Sequence, residues 1–339
     1  MATILVTGGT GYIGSHTVVE LFNAGYEVII VDDLSNSDIK ILEQIEKISG
    51  KKPDFVKLDL CEEKEVIGFA ENHRDIAGII HFAAFKAVGE SVQQPLKYYR
   101  NNFYSLINLL TAFNSAINLV FSSSCTVYGQ PDALPVTENA PVKKAESPYG
   151  NTKQIAEEIL QETCSVNPAL NVIVLRYFNP VGAHHSALIG ELPIGVPQNL
   201  IPFITQSAIG KRAAITVYGD DYNTPDGSAI RDYIHVVDLA KAHVSAIKRL
   251  EQGTGKNYEV FNIGTGKGSS VLEIIKAFEQ STGEKLNYTI GKRREGDIEQ
   301  TFGDVSLAND VLGWKAALDV NEMMRSAWNW EKYLRDNPF

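Results

Sequence analysis

Short apolar, β-branched runs alternate with longer stretches of helical spacing through the first half of the chain. TILVT, EVIIVD, DFVKLD, GIIHFA, NLVFSSS and NVIVLRYF read as strands, and amphipathic helical patterns lie between them. These strands are apolar on both faces, which requires cover from both sides. The alternation therefore predicts an α/β fold, a doubly wound parallel sheet with ligands at the carboxyl ends of its strands. After Phe178 the texture changes to loops rich in Gly and Pro, NPVGAHH, GELPIGVPQN and GDDYNTPDGSAIRD, separated by shorter regular segments. The expected organisation is a sheet domain over residues 1–180 and a smaller C-terminal α/β lobe over 181–339 that holds the substrate. Part of about 230–265, where YIHVVDLAKAHVSAIKRL lies, should pack back on the first domain.

The first strand runs into TGGTGYIGSHTVVELFNAG, placing Gly8, Gly11 and Gly14 in a strand, turn, helix context, with Ile13, Thr17 and Leu21 at helical spacing and Gly25 as a stop. Glycine lets the backbone turn tightly and approach a pyrophosphate, whose charge a helix N-terminus stabilises. This is the fingerprint of a Rossmann dinucleotide-binding domain. The second strand ends at Asp32, placed to accept hydrogen bonds from an adenosine ribose. Its carboxylate would repel a 2′-phosphate, which favours NAD over NADP, although Lys40 nearby leaves the second open. Asp59, Leu60, Phe82 and Lys86, at the ends of the third and fourth strands, should line the same crevice.

A second motif, SPYGNTK, holds the candidate chemistry. If Ser147 caps a helix and Pro148 takes its first position, Tyr149 and Lys153 share one face. A phenol with a pKa of about 10 is a poor base at neutral pH until positive charge stabilises its phenolate. Lys153 can supply such charge, and Ser124, at the end of NLVFSSS, can hydrogen-bond a reacting oxygen.

The net charge of −10 argues against a general nucleic-acid surface, and 44% apolar with 21% charged residues gives no support for disorder. No run of about 18 apolar residues occurs, and the N-terminus enters a strand without a basic region or small-residue cleavage site. A soluble, cytoplasmic protein is expected. Cys61, Cys125 and Cys164 form neither a C-x-x-C pair nor an even disulfide framework, and adjacent His184 and His185 cannot repeat the i, i+4 spacing of helical metal ligands. No metal is expected.

With GGTGYIG, FSSSCTVYG and SPYGNTK in this order, the sequence resembles the extended short-chain dehydrogenase/reductase family. KAVGESVQQPLKYYRNN, RYFNPVGAHHS, IRDYIHVVDLA and RREGD extend the resemblance from Thr3 to about Trp330 and narrow it to the family's nucleotide-sugar 4-epimerases. The resemblance implies a retained NAD and reversible inversion at C4 of a UDP-hexose, converting UDP-galactose to UDP-glucose and back. Tyr149 would remove the 4-hydroxyl proton while hydride leaves C4, giving a 4-keto sugar that turns over and is reduced on its other face. Catalytic roles fall to Ser124, Tyr149 and Lys153. Contacts to NAD carry over to Gly8, Gly11, Tyr12, Ile13, Gly14, Asp32, Asp33, Asn36, Asp59, Leu60, Phe82, Ala83, Lys86, Asn102, Ser124, Tyr149, Lys153 and Phe178. Contacts to the nucleotide sugar carry over to Ser124, Tyr149, Asn179, Asn199, Leu200, Tyr218, Arg231, Arg294, Asp297 and Thr301. A homodimer built on helices of the first domain is implied as well, with no nucleic-acid or membrane partner.

Departures from the family pattern are Ala84 and Phe85 where Gly-Leu is common, Ser105 for a common glycine, and Cys125 for a common alanine. Thr301 stands where the family varies between tyrosine and a small residue, and a small residue there goes with N-acetylated sugars. Two competing readings are a nucleotide-sugar 4,6-dehydratase and a non-catalytic NAD-binding sensor. Dehydratases carry an Asp-Glu pair before Val-Tyr-Gly to protonate the departing 6-hydroxyl, whereas Cys125 and Thr126 precede Val127 here. A sensor has no chemical reason to keep Ser124, Tyr149 and Lys153 together. GTGKGSS lacks phosphate-loop spacing and reads as a turn before a helix.

Overall fold

A computed structural model describes residues 1–113, 117–253, 255–294 and 297–339. The first part of the chain runs β1 (Thr3–Thr7), α1 (Tyr12–Asn23), β2 (Glu27–Asp32), α2 (Ile41–Ser49), β3 (Asp54–Lys57), α3 (Glu63–Asn72), β4 (Ile76–His81), α4 (Val88–Gln93), α5 (Pro95–Ala112), β5 (Ile117–Ser124), α6 (Pro148–Val166) and β6 (Leu170–Tyr177). The rest runs β7 (Asn179–Val181), α7 (Leu200–Ala208), β8 (Ile215–Tyr218), β9 (Ile230–His235), α8 (Val236–Gln252), β10 (Tyr258–Ile263), β11 (Gly268–Ser270), α9 (Val271–Thr282), β12 (Tyr288–Gly291), β13 (Gln300–Thr301), α10 (Ser306–Val311) and α11 (Val320–Asp336). Among the described residues no helix is long and apolar enough to cross a membrane.

Seven parallel strands in the order β10-β6-β5-β4-β1-β2-β3 form the main sheet. Alternation along each strand feeds two cores: Ile4 and Val6 face α1 and α8, while Leu5 faces the side covered by α3, α5 and α6. This is the doubly wound sheet that the two-faced apolar strands predict. The chain builds outward through β1, β2 and β3, then returns to lay β4 on the other side of β1. The reversal opens a crevice at the carboxyl ends of β1 and β4. Its seventh strand, β10, comes from Tyr258–Ile263 and lies beside β6 in register from Tyr258↔Val172 to Ile263↔Tyr177.

A smaller sheet has the order β11-β9-β13, with β7 also pairing β9, and β8 pairs β12 in a separate ribbon. Both pack on α7, α9 and α11 around Ile204, Ile274, Phe278 and Met324. Because β7 follows β6 after one residue, the β9 layer sits directly beyond the carboxyl edge of the main sheet.

Candidate active site

The glycine turn after β1 is fixed by close approach. Gly8 has φ +70°, and a Cβ there would stand 2.9 Å from the Ala83 nitrogen at the end of β4. A Cβ on Gly14 would stand 2.2 Å from the Gly8 carbonyl oxygen, so α1 presses on the turn itself. Gly11 occupies the N-cap of α1, no side chain caps the helix, and its first turn, with Tyr12 and Ile13, carries no acidic residue. A dinucleotide pyrophosphate fits such an end, where amide dipoles are unspent and no side chain intervenes.

Asp32 is buried at the end of β2 and accepts from the Thr10 amide at 3.2 Å, the Leu34 amide at 2.9 Å and the Ser37 hydroxyl at 3.2 Å. Asp33 accepts from the Ser35 amide and Asp59 from the Cys61 amide; Asn36 is exposed beside them, and Leu60 is buried in the turn that follows β3. Phe82 packs at a tilt against His243 with ring centroids 4.6 Å apart. Tyr12 donates its hydroxyl to the Gly182 carbonyl at 2.6 Å, which ties α1 to the segment after β7. Asn102 is differently placed from a free ligand contact. Its amide donates to the Phe85 carbonyl at 3.1 Å and the Thr152 hydroxyl at 3.1 Å, and its carbonyl accepts from the Phe85 amide at 2.9 Å. Those bonds fasten the loop after β4 to α6.

Ser147 caps α6, accepting from the Gly150 amide at 3.1 Å, and Pro148 takes the first turn, as the motif predicts. Tyr149 and Lys153 therefore lie one turn apart, facing the end of β5. The Lys153 ammonium is buried, donates to the Ser122 carbonyl at 2.6 Å, and lies 4.8 Å from the Phe121 ring centroid and 6.0 Å from that of Tyr149. Ser124 ends β5 and accepts from the Thr126 amide at 3.2 Å. Burial pushes the Tyr149 phenol up to about 12; the Ser124 hydroxyl works against this, and the neighbouring Cys125 adds to it. Burial brings Lys153 down to about 8, opposed by Glu157. The pair is thus a protonated phenol beside a cation whose proton is easily lost.

On the facing lobe, Arg231 in β9 donates to Asp297 at 2.5 Å and to the Ile230 carbonyl at 2.8 Å, so these two candidate substrate residues pair with each other. Thr301 in β13 lies opposite Arg231 in the ladder. The Arg294 guanidinium stacks 3.9 Å over the ring of Tyr218, which ends β8. Asn199 occupies the N-cap of α7 yet makes no capping bond; its amide donates to Glu191 at 2.6 Å, the carboxylate that also meets Lys86 at 3.6 Å. Leu200 begins α7 and Asn179 begins β7. Phe178 is buried where a Cβ on Gly303 would stand 2.4 Å from its ring. Glu295 and Gly296 of the RREGD motif lie outside the described residues.

A family model described as GDP-mannose 4,6 dehydratase matches residues 5–327. A UDP-glucose 4-epimerase of Dictyostelium discoideum is 49% identical over 97% of this chain and 95% of its own. Among solved structures, the UDP-glucose 4-epimerase of Stenotrophomonas maltophila, with bound NAD and formylated UDP-arabinopyranose, superposes with a TM-score of 0.96 at 47% identity over 99% of both chains. That of Bifidobacterium longum, in complex with NAD+ and UDP, gives 0.91 at 46% identity over 99% of both. The chain belongs to the UDP-glucose 4-epimerase family.

Within this epimerase family the dehydratase alternative is not favoured. The turn after β5, Cys125–Tyr128, presents a thiol and a hydroxyl where elimination needs a carboxylate. Several residues that organise the epimerase-type site escaped the sequence reading. Glu157 and Arg176 form a buried ion pair at 2.5 Å behind Lys153. Asp232, next to Arg231, is buried and accepts from the Thr265 amide at 2.8 Å, the Thr265 hydroxyl at 2.6 Å and the Gly266 amide at 3.1 Å. The GTGKGSS turn is thereby anchored to the smaller sheet. The spacing of IRDYIH puts an acid beside Arg231, but its glycine-turn partner is set by tertiary contact alone.

Proposed function

We propose that the protein interconverts UDP-galactose and UDP-glucose by reversible oxidation and reduction at C4. The observation that carries the reading is the placement of Tyr149 and Lys153 one turn apart on α6, opposite Ser124, at the mouth of the dinucleotide crevice. When bound, NAD supplies a reversible hydride acceptor for the sugar carbon. Gly8, Gly11 and Gly14 leave the backbone room that a pyrophosphate needs, and Asp32 faces the ribose end. Tyr149 takes the 4-hydroxyl proton and returns it, and Ser124 orients the same oxygen by a hydrogen bond. With its phenol pushed up to about 12, Tyr149 holds its proton at neutral pH until positive charge gathers beside it. Lys153 provides part of that charge. Arg231 and Arg294 present forked donors suited to the UDP diphosphate, the first by exchanging Asp297 for phosphate oxygens.

Thr301, opposite Arg231, leaves the sugar pocket open to a 2-acetamido group, so UDP-N-acetylglucosamine and its galacto epimer are also substrates under this reading. NMR of the anomeric protons, without added NAD, should show conversion of both UDP-galactose and UDP-N-acetylgalactosamine. T301Y should retain the first and lose the second by more than about tenfold, because overfilling a pocket rejects the larger ligand. Loss of both activities in T301Y, or none in the wild type toward acetylated sugars, would sink the broad specificity. Failure of the wild type on UDP-galactose would sink the epimerase reading.

Under this reading the protein assembles as a homodimer. On α5, Leu96, Tyr104 and Ile107 are 80%, 50% and 43% exposed, and with Arg100 they form a stripe at helical spacing. Two such stripes from two copies would bury each other. L96E/I107E should halve the mass seen by sedimentation equilibrium; an unchanged mass places the interface elsewhere. Three free cysteines fit a reducing, cytoplasmic setting.

A further inference from the structure

One turn beyond Lys153, α6 carries a second buried charge, Glu157. Its carboxylate is held from two strands. Arg176 of β6 reaches it with Nε at 3.0 and 3.1 Å and with Nη2 at 2.5 Å, and the Ser123 hydroxyl of β5 donates to it. The remaining Arg176 nitrogen donates to the Tyr128 hydroxyl at 3.1 Å and the Glu138 carbonyl at 3.2 Å. A buried ion pair is weak evidence for stability, since apolar residues of the same volume serve as well or better. Its place behind the catalytic lysine suggests another use.

Lys153 itself makes its hydrogen bond to a carbonyl, that of Ser122, and to no carboxylate among the described residues. Besides Tyr149, one turn back on the same helix, titratable groups stand near this end of β5 on several elements. His81 of β4 is held neutral, brought down to about 3 by burial and then by the Lys153 charge. Tyr177 of β6, bonded to the Ser122 hydroxyl, and Tyr98 of α5 are pushed up by burial, and so is Cys125 after β5. All four are uncharged at neutral pH. Glu157, held in its pair with Arg176, is left as the full charge that bears on Lys153.

We propose that Glu157 and Arg176 form a charge clamp that positions the catalytic lysine: Glu157 favours the ammonium form, and Arg176 keeps Glu157 from folding forward to pair with it. The inference rests on the epimerase reading, in which Lys153 acts as a cation beside Tyr149. Burial brings Lys153 down to about 8 and Glu157 opposes the change, so kcat acquires an alkaline limb as the ammonium discharges. E157Q removes the charge that favours the ammonium and leaves Arg176 repelling it; the limb moves to lower pH by about one unit. R176Q removes the repulsion and frees Glu157 to turn to Lys153 as its partner, which moves the limb to higher pH. The E157Q/R176Q variant cancels both charges and restores the wild-type position.

The experiment is kcat against pH with UDP-galactose, with a thermal melt and the NAD content measured for each variant. Shifts of opposite sign are a signature that a merely structural pair does not give, because loosened packing lowers kcat and leaves the limb in place. Limbs that stay put, or that move the same way in both single variants, overturn the clamp. If one single variant does not fold, the direction of the other decides; if neither folds, a displaced limb in the double variant overturns the proposal. A wild-type protein that does not turn over UDP-galactose refutes the epimerase reading instead.

Discussion

Replacing Tyr149 by phenylalanine is expected to lower kcat for UDP-galactose by about a thousandfold while leaving the fold and the bound NAD in place, the size of effect typical of a lost general acid/base. The ring stays, so the packing at the start of α6 keeps its volume. What disappears is one oxygen at the mouth of the crevice. No described neighbour can replace it. Ser124 has a hydroxyl that is a far weaker acid and is already engaged by the Thr126 amide, and Lys153 is turned toward the Ser122 carbonyl. The thiol of Cys125 is pushed up to about 12, by burial first, so it offers no thiolate near neutrality. Stopped NMR assays with Y149F and wild type, each matched for NAD content, check the result. Turnover within tenfold of wild type would remove Tyr149 from the chemistry and return the protein to a binding role.

Much of this arrangement is legible in the sequence because it is local. A strand apolar on both faces states that it is covered twice, and the order of glycines between Thr7 and Ser15 states where a helix must touch a turn. Ser147 and Pro148 announce the start of α6, and the start sets Tyr149 and Lys153 on one face. The remainder depends on which distant segments meet. Tyr258–Ile263 joins β6 as a seventh strand because α8 returns the chain across the sheet, and a six-residue run alone does not name its neighbour. Glu157 reads as one more polar position in a helix until β6 brings Arg176 against it. Asn102 carries the right side chain for a ligand contact, yet tertiary structure spends that amide on Phe85 and Thr152. Arg231 and Asp297 are 66 residues apart in sequence, and only the closure of the 297–301 segment onto β9 makes them partners.

Gly14→Ala is the second large effect, and its sign runs against helix propensity. In an open helix this change stabilises by about 1 kcal/mol, because alanine costs less backbone entropy than glycine. At Gly14 the added methyl would meet the Gly8 carbonyl oxygen at 2.2 Å, the Gly9 Cα at 2.8 Å and the Gly8 carbonyl carbon at 3.0 Å. All three are backbone atoms, so no rotamer change relieves the contact. Either α1 lifts from the turn or the turn moves from under Ala83, and both spoil the cradle. The cost of overpacking, about 1–3 kcal/mol, outweighs the propensity gain. The melting temperature should therefore fall by several degrees, at roughly 2–4 °C per kcal/mol for chains somewhat shorter than this one. More telling is the purified protein's NAD content, which should drop well below one per chain. Gly68, inside α3, provides the matched control, since a Cβ there meets nothing within 4 Å. Gly68→Ala should melt at or above the wild-type temperature and keep its NAD. If Gly14→Ala did the same, α1 would not press on the glycine turn, and the pyrophosphate would have to be held elsewhere in the crevice.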